Sequence, residues 1–142
     1  MNKLIAILIT IICLYTTLQA ESSKSIQDFD VKPGNSPEKN RDNLQKAIDW
    51  ASLSGAGLWV EPSAEPYPIA GGLILKKNVS LIGVHGPTPR GTVHESKKQP
   101  VGSVFKITDK ENVFIIVESG TQIKGIQFWY PEQTITDPSA II

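Results

Sequence analysis

The side chains best placed by type for acid-base chemistry in this chain are its carboxyls, chiefly Asp28, Asp30, Asp42, Asp49, Glu61, Glu65, Glu95, Asp109, Glu111, Glu118, Glu132 and Asp137. Hydrolysis of a glycosidic bond usually needs two such groups about 5 to 9.5 Å apart, one protonated and one ionised. Here the acids are scattered. Asp109 and Glu111 are close in sequence, but they sit in "TDKEN", which reads as a solvated turn. Elimination chemistry would instead want carboxylates clustered around calcium and a strong base such as arginine or lysine, and the sequence shows no such cluster. It therefore assigns no catalytic residue, no cofactor and no metal ligand.

Two further stretches carry polar or aromatic chemistry. "VHGPTPRGTVHESKKQP" holds His85, Arg90, His94, Lys97 and Lys98, cations that could pair with the carboxylate of an acidic sugar. The plainer reading is an insertion that loops out between strands, kept from the sheet by its prolines and glycines. "FWYPEQ", Phe128 to Gln133, sets three aromatics beside Glu132 and could stack a sugar ring; packing at a corner of the chain is the plainer alternative. Asn78, Val79 and Ser80 spell a glycosylation sequon, which burial in a strand would hide.

The elements that would position these groups are short. Residues 1–20, "MNKLIAILITIICLYTTLQA", have a positive start at Lys3, an apolar run from Leu4 to Leu14 and a small residue at Ala20 before "ESSKS". That is the grammar of a signal peptide. A membrane anchor is the alternative, but the run falls short of the roughly 20 apolar residues that span a bilayer. Lipidation at Cys13 would need small residues before it, where Ile11 and Ile12 are large. With cleavage after Ala20 the mature chain, 21–142, has no cysteine, since Cys13 is the only one. Its stability must then come from packing. With 14 basic and 14 acidic residues the chain has no net charge, which gives no footing for nucleic acid.

"SPEKNRDNLQKAIDWASLSGAG" reads as a helix capped by Asn40 or a neighbouring polar residue. Asp42 lies in its first turn, Leu44, Ala47, Ile48 and Ala51 on one face, and Gly55 and Gly57 form its stop. Ile26, Phe29 and Val31 suggest a short strand before it, ending in a turn at Pro33 and Gly34. After it come strand candidates at 58–60, 67–75, 79–84, 103–107, 113–117 and 123–130. No Asn-Gly or Asp-Gly hairpin signal joins them. Instead "NVSLIGV" is echoed by "NVFIIVE" and "SLIGV" by "IKGIQF", the mark of a solenoid whose coils cover one another. Leu73, Leu75, Val79, Leu81, Val104, Phe114, Ile116, Ile123 and Ile126 would stack inward, with "KKN", residues 76–78, as a corner. Trp50 and Trp59 are read as packing residues.

The order of these phrases resembles the amino-terminal part of the pectate-lyase-like proteins, especially the rhamnogalacturonase-like and epimerase-like branch. It is carried by Asp28 and Phe29, "LQKAIDWA", the glycine stop, "VEP", the strand with Tyr67, Ile69, Gly71, Leu73 and Leu75, and "GIQFWYPEQ". The chain departs from the family in the entry loop, where "PGNSPEKNRD" replaces an Asp-Gly-x-x-Asp run. The resemblance implies a mainly-β fold, a right-handed parallel β-helix whose amino-terminal end is capped by the helix. It also implies an exported carbohydrate-active protein, secreted, periplasmic or at the cell surface, with polysaccharide as partner, hydrolase or lyase, and catalytic residues on more central coils. A non-catalytic glycan-binding or cell-surface scaffold is the alternative, and the signal peptide disfavours a phage-type fibre. Setting aside the signal and the helix-bearing entry leaves roughly eighty residues, about three coils at about 20 to 30 residues each. The end at "TDPSAII" lacks a polar cap, which reads as truncation, or as an open end covered by an oligomer.

If residues 1–20 are a cleaved signal, mass spectrometry of the exported protein will show a mature start near Glu21; recovery of the uncleaved chain alone, in membranes, would refute this.

Overall fold

The computed structural model of the chain describes residues 23–87 and 100–131. The signal-peptide reading, and Arg90, His94, Glu95, Lys97, Lys98, Glu132 and Asp137, lie outside the described residues.

The first element, β1 (Ser23–Ser25), runs into a 3-10 turn at Ile26–Phe29, not into the strand expected there. Local hydrogen bonding is the reason. The Ser25 hydroxyl accepts from the Gln27 N–H at 2.9 Å, and the Asp28 carboxylate accepts from the Ser25 N–H at 3.0 Å, closing a capping box. Ile26 and Val31 still reach the core.

Helix α1 (Pro37–Ser54) is capped by Ser36, whose hydroxyl accepts from the Lys39 N–H at 3.2 Å. Pro37 stands at the first helical turn, where a missing N–H removes no bond. Gly55, at φ 65, ends the helix in the left-handed region. Asn40 is therefore not the cap. It lies inside the helix, fully buried, its amide oxygen accepting from the Lys32 N–H and the Asn35 amide, its nitrogen donating to the Lys32 and Pro68 carbonyls. Leu44, Ala47, Ile48 and Ala51 are buried as the spacing predicts, against β2 (Gly57–Val60), β3 (Tyr67–Ile69) and β4 (Leu73–Leu75). Gly57 belongs to β2 and not to the helix stop.

The remaining strands are β5 (Ser80–Gly83), β6 (Val104–Ile107), β7 (Ile115–Val117), β8 (Gln122–Lys124) and β9 (Gln127–Trp129). The run expected as one strand over 67–75 is two, split at Gly72 (φ 91), and that over 123–130 is two, split at Gly125 (φ 70). Every strand pairing is parallel. The sheets run β1-β2-β5-β8, β3-β6-β9 and β4-β7, so the described residues are mainly β, with one α-helix.

Register places like beside like. Leu58, Leu81 and Ile123 are aligned across the first sheet, and Tyr67, Phe105 and Phe128 across the second. Leu73 stands beside Ile115 in the third. Leu73, Leu75, Val79, Leu81 and Phe114 are buried in the core as expected, and Ile123 and Ile126 are packed partly against it. Val104 is a correction: it is buried, but beside Gln127 on the face of β6 opposite to Phe105 and outside the core cluster. Ile116 is a correction: it aligns with Ile74 on the outer face and is 56% exposed, because side chains alternate along a strand. Each fully buried Leu or Ile contributes about 1.5–3 kcal/mol.

Buried Ser103 ties two passes of the chain, its hydroxyl donating to the Val60 carbonyl at 2.6 Å and accepting from the Val84 N–H at 2.8 Å. Ser103→Ala leaves both backbone groups without that partner and is expected to cost about 1–3 kcal/mol. Thermal unfolding of the variant alongside the parent measures it; an unchanged midpoint would mean that the tie is dispensable.

Candidate functional site

Asp28, Asp30, Asp42, Asp49, Asp109 and Glu118 make structural contacts. Asp28 closes the capping box, and Asp30 pairs with Lys32 and Lys39 at 2.5 and 2.7 Å. Asp42 pairs with Arg41 at 2.8 Å, and Asp49 with Lys76 at 2.9 Å. Glu118 accepts from the Lys77 N–H at 2.9 Å. Glu61 is half-buried, and its Oε2 is enclosed without a hydrogen-bond partner.

The Asp109 and Glu111 stretch is a turn, as the sequence suggests. Asp109 accepts from the Asn112 side chain at 2.9 Å and from the backbone N–H groups of Asn112 and Glu111, both at 3.0 Å. Gly71 fits tightly beneath it: a Cβ there would lie 3.0 Å from the Asp109 carboxylate and 3.2 Å from the Val113 carbonyl. Asn112, foremost, and these N–H groups hold the Asp109 carboxyl down at about 2. The Lys32 and Lys39 contacts do the same for Asp30, also at about 2. Burial pushes the Asp49 carboxyl up, but Gln45 and Lys76 outweigh it and leave it below the usual range. A general acid needs the opposite shift, so these three carboxyls are bound in the ionised state.

His85 is exposed at the base of the loop expected to project between strands, and it bridges to Gly102. The base is pinched. Ser103 N–H donates to the Val84 carbonyl at 2.9 Å, and the Gln127 amide donates to the Val101 carbonyl at 2.9 Å and the Gly86 carbonyl at 3.3 Å. Asn78 of the sequon is exposed at a turn with φ 63 rather than buried in a strand. Its amide oxygen packs against Gly120, in the space a Cβ would need.

The aromatic stretch divides by strand alternation. Phe128 points inward, its ring 6.2 Å from Phe105 and 5.6 Å from Phe114, and Tyr67 meets Phe105 edge-on at 6.4 Å. Tyr67 donates to the Glu61 carbonyl and accepts from Gln27, and burial raises its phenol. Phe128 is nevertheless 39% exposed, and with Val113, Phe114, Ile115, Ile123 and Tyr130 it lines an open apolar hollow. Trp129 points the other way, outward, with the Lys106 ammonium 5.7 Å from its ring centroid. Such a contact at a partly exposed site contributes about 0.5–1 kcal/mol. Trp50 packs on Phe29 at 5.6 Å as expected, whereas Trp59 faces outward and is 37% exposed.

On the outer side of β6 and β9, Lys106 and Trp129 stand in register. It offers a ring and a cation, which suit binding. The sequence flagged Trp129 but not Lys106, whose partnership depends on a strand pairing between residues 23 apart. Among the described residues no group of three or more His, Cys, Asp or Glu side chains is arranged to hold a metal ion, and no helix is long and apolar enough to cross a membrane. No family model, curated protein or solved structure matches the chain.

A carboxyl with a depressed pKa adds stability that is fully present above its ordinary value, near 3.8, and lost as pH falls through the depressed one. The melting temperature should therefore fall between pH 4 and pH 2, and Asp109→Asn should shrink that fall while leaving the Asp30 share. Circular-dichroism melts across that range test this; an identical pH profile in the variant would remove Asp109 from the account.

Proposed function

We propose that this chain forms the cap and opening turns of a right-handed parallel β-helix in an exported, carbohydrate-active protein that engages pectin-like polysaccharide. The observation that carries the reading is the uniformly parallel pairing of the nine short strands of the described residues in three sheets, six of them lying beside a strand from an earlier pass of the chain. A chain returning to the same three sheets, with Leu58, Leu81 and Ile123 aligned, is what a coil stacked on a coil would give. Parallel crossovers are almost always right-handed, which supports that hand. Helix α1 lies across β2, β3 and β4, where a first coil would need cover. The resemblance in the order of Asp28, Phe29, "LQKAIDWA", "VEP" and the Tyr67 to Leu75 phrase adds the pectate-lyase-like family and its substrates, and residues 1–20 add export.

A binding or scaffold role is favoured over hydrolysis for the described residues by one observation: Asp30 is taken up by Lys32 and Lys39, Asp49 by Gln45 and Lys76, and Asp109 by Asn112 and the Glu111 N–H. Polysaccharide affinity electrophoresis of residues 21–142, with polygalacturonate, rhamnogalacturonan and a neutral glucan in the gel, tests the reading. Retardation by a pectic polymer without release of reducing or unsaturated ends is expected. Free migration in all three gels would overturn the polysaccharide reading, and chain cleavage would overturn the non-catalytic one.

A further inference from the structure

We propose that Asn78 is the acceptor for an N-linked glycan, its side-chain nitrogen taking an oligosaccharide from a lipid-diphosphate donor as the chain is exported. This rests on the export part of the reading above and is independent of the polysaccharide part. Asn78, Val79 and Ser80 form the only Asn-x-Ser/Thr triplet in the sequence, and neither Val79 nor the following Leu81 is a proline. Burial in a strand would hide such a triplet. The structure instead sets Asn78 on an exposed corner between β4 and β5, outside either strand.

The corner keeps its shape without hydrogen bonds from the Asn78 side chain. Lys77 N–H donates to the Glu118 carboxylate at 2.9 Å, Asn78 N–H to the Ser119 carbonyl at 3.2 Å and Val79 N–H to the Lys76 carbonyl at 3.2 Å. The backbone at φ 63 asks only for a residue that tolerates the left-handed region, and Gly120, at φ 71, serves at the matching corner of the next pass. Asparagine tolerates that region too, which by itself would account for its presence. Its side-chain nitrogen sets it apart. Those of Asn35, Asn40, Asn43 and Asn112 each donate to a carbonyl or carboxylate of the described residues. That of Asn78 donates to no described residue. Ser80 stands on the outward side of β5, between buried Val79 and Leu81, and its hydroxyl likewise has no partner among the described residues. The two polar groups of the triplet are thus left with no structural work, beside a glycine that adds no side chain to crowd them.

Transfer joins Asn78 Nδ2 to the anomeric carbon of the first sugar. The bond from that carbon to the diphosphate oxygen breaks, its electron pair leaves with the lipid diphosphate, and the amide gives up one proton. No oxidant or reductant takes part. Val79, in the middle of the triplet, is fully buried, so the transferring enzyme has to read the triplet before β5 packs. Afterwards only the attachment point must stay outside. Asn78 meets that condition: its neighbour packs inward, while a bulky, solvated product on its nitrogen meets no described group that it must displace.

The test expresses the full chain in a eukaryotic secretory host, once with its own residues 1–20 and once with these replaced by the leader of a secreted protein. The medium and the cells are analysed by gel mobility and peptide mass spectrometry, before and after native digestion with peptide-N-glycosidase, which turns a glycosylated asparagine into aspartate. Secreted chain of raised mass is expected, brought down by the enzyme without denaturation and carrying aspartate at position 78. Asn78→Gln and Ser80→Ala should each abolish the added mass, Ser80→Thr should keep it, and Lys77→Gln, at the same corner, should leave it unchanged. The two Ser80 variants keep the test decisive if Asn78→Gln fails to fold, because they leave the corner residue in place. Bare Asn78 in the chain whose replacement leader has been cleaved overturns the proposal, as does a glycan found only on chain retained in the cell. A glycan at Asn78 with the replacement leader but no secretion with residues 1–20 overturns the export reading and leaves the acceptor standing.

Discussion

Parallel, in-register pairing between successive passes of the chain is the constraint on which everything else here depends. Strands of three or four residues have too few backbone bonds and too little buried surface to stand alone. They become stable only because each places its inward side chains on those of the pass before. A slip of one residue would send Leu81 outward and Ile82 inward and break the whole column. The dependence is visible in the burial along each column. Tyr67 and Phe105 are fully buried, and Phe128, aligned with them in the last described pass, is not. Leu75 is fully buried and Val117 beside it is 54% exposed. An inward side chain is buried here to the extent that another pass lies over it.

Short strands create many corners, and at each the backbone must find partners outside a sheet. Polar side chains supply them. Gln45 of α1 donates to the Ile74 carbonyl at 3.2 Å and accepts from its N–H at 2.9 Å, so a helix side chain takes the place of a neighbouring strand on β4. Asn40 and Asn43 hold the entry loop, Asn43 through the Asp30 carbonyl at 3.1 Å. Ser103 and Gln127 tie together the chain on either side of residues 88–99. This is the physical reason that so many acids and amides, which on type alone are candidates for chemistry, have structural work.

The strand and helix regions were legible because their signals are local. Leu44, Ala47, Ile48 and Ala51 carry a helical period, and short β-branched runs between turn residues carry the strands. What was not legible depended on glycine or on distant pairing. Gly72 and Gly125 bend the chain into two strands where the apolar pattern runs on unbroken. The Ser25 capping box overrides the strand-like spacing of Ile26, Phe29 and Val31. Ile116 has the composition of a core residue, and only its alignment with Ile74 shows that it faces outward. Asn40 looks like a cap because asparagine favours caps; its true role depends on Lys32 and Pro68, and the second of these is 28 residues away. Of the candidate binding surface the sequence could give Trp129 as an aromatic and no more, since Lys106 reaches it only through the β6 and β9 pairing.

The same alternation decides what chemistry these residues can support. In "FWY" the neighbours Phe128 and Trp129 serve opposite sides of one strand: the first joins an aromatic column with Tyr67 and Phe105, the second is left beside a cation. Donating a proton as a general acid would require a carboxyl kept neutral by burial or by another carboxyl. Asp30, Asp49 and Asp109 are shifted the other way, by ammonium groups and amide donors. Groups shifted in that direction hold loops and corners in place across the neutral range. Lys106 and Trp129 stand apart from those contacts, a cation and a ring side by side on the outer face of strands whose inner faces hold the stack together.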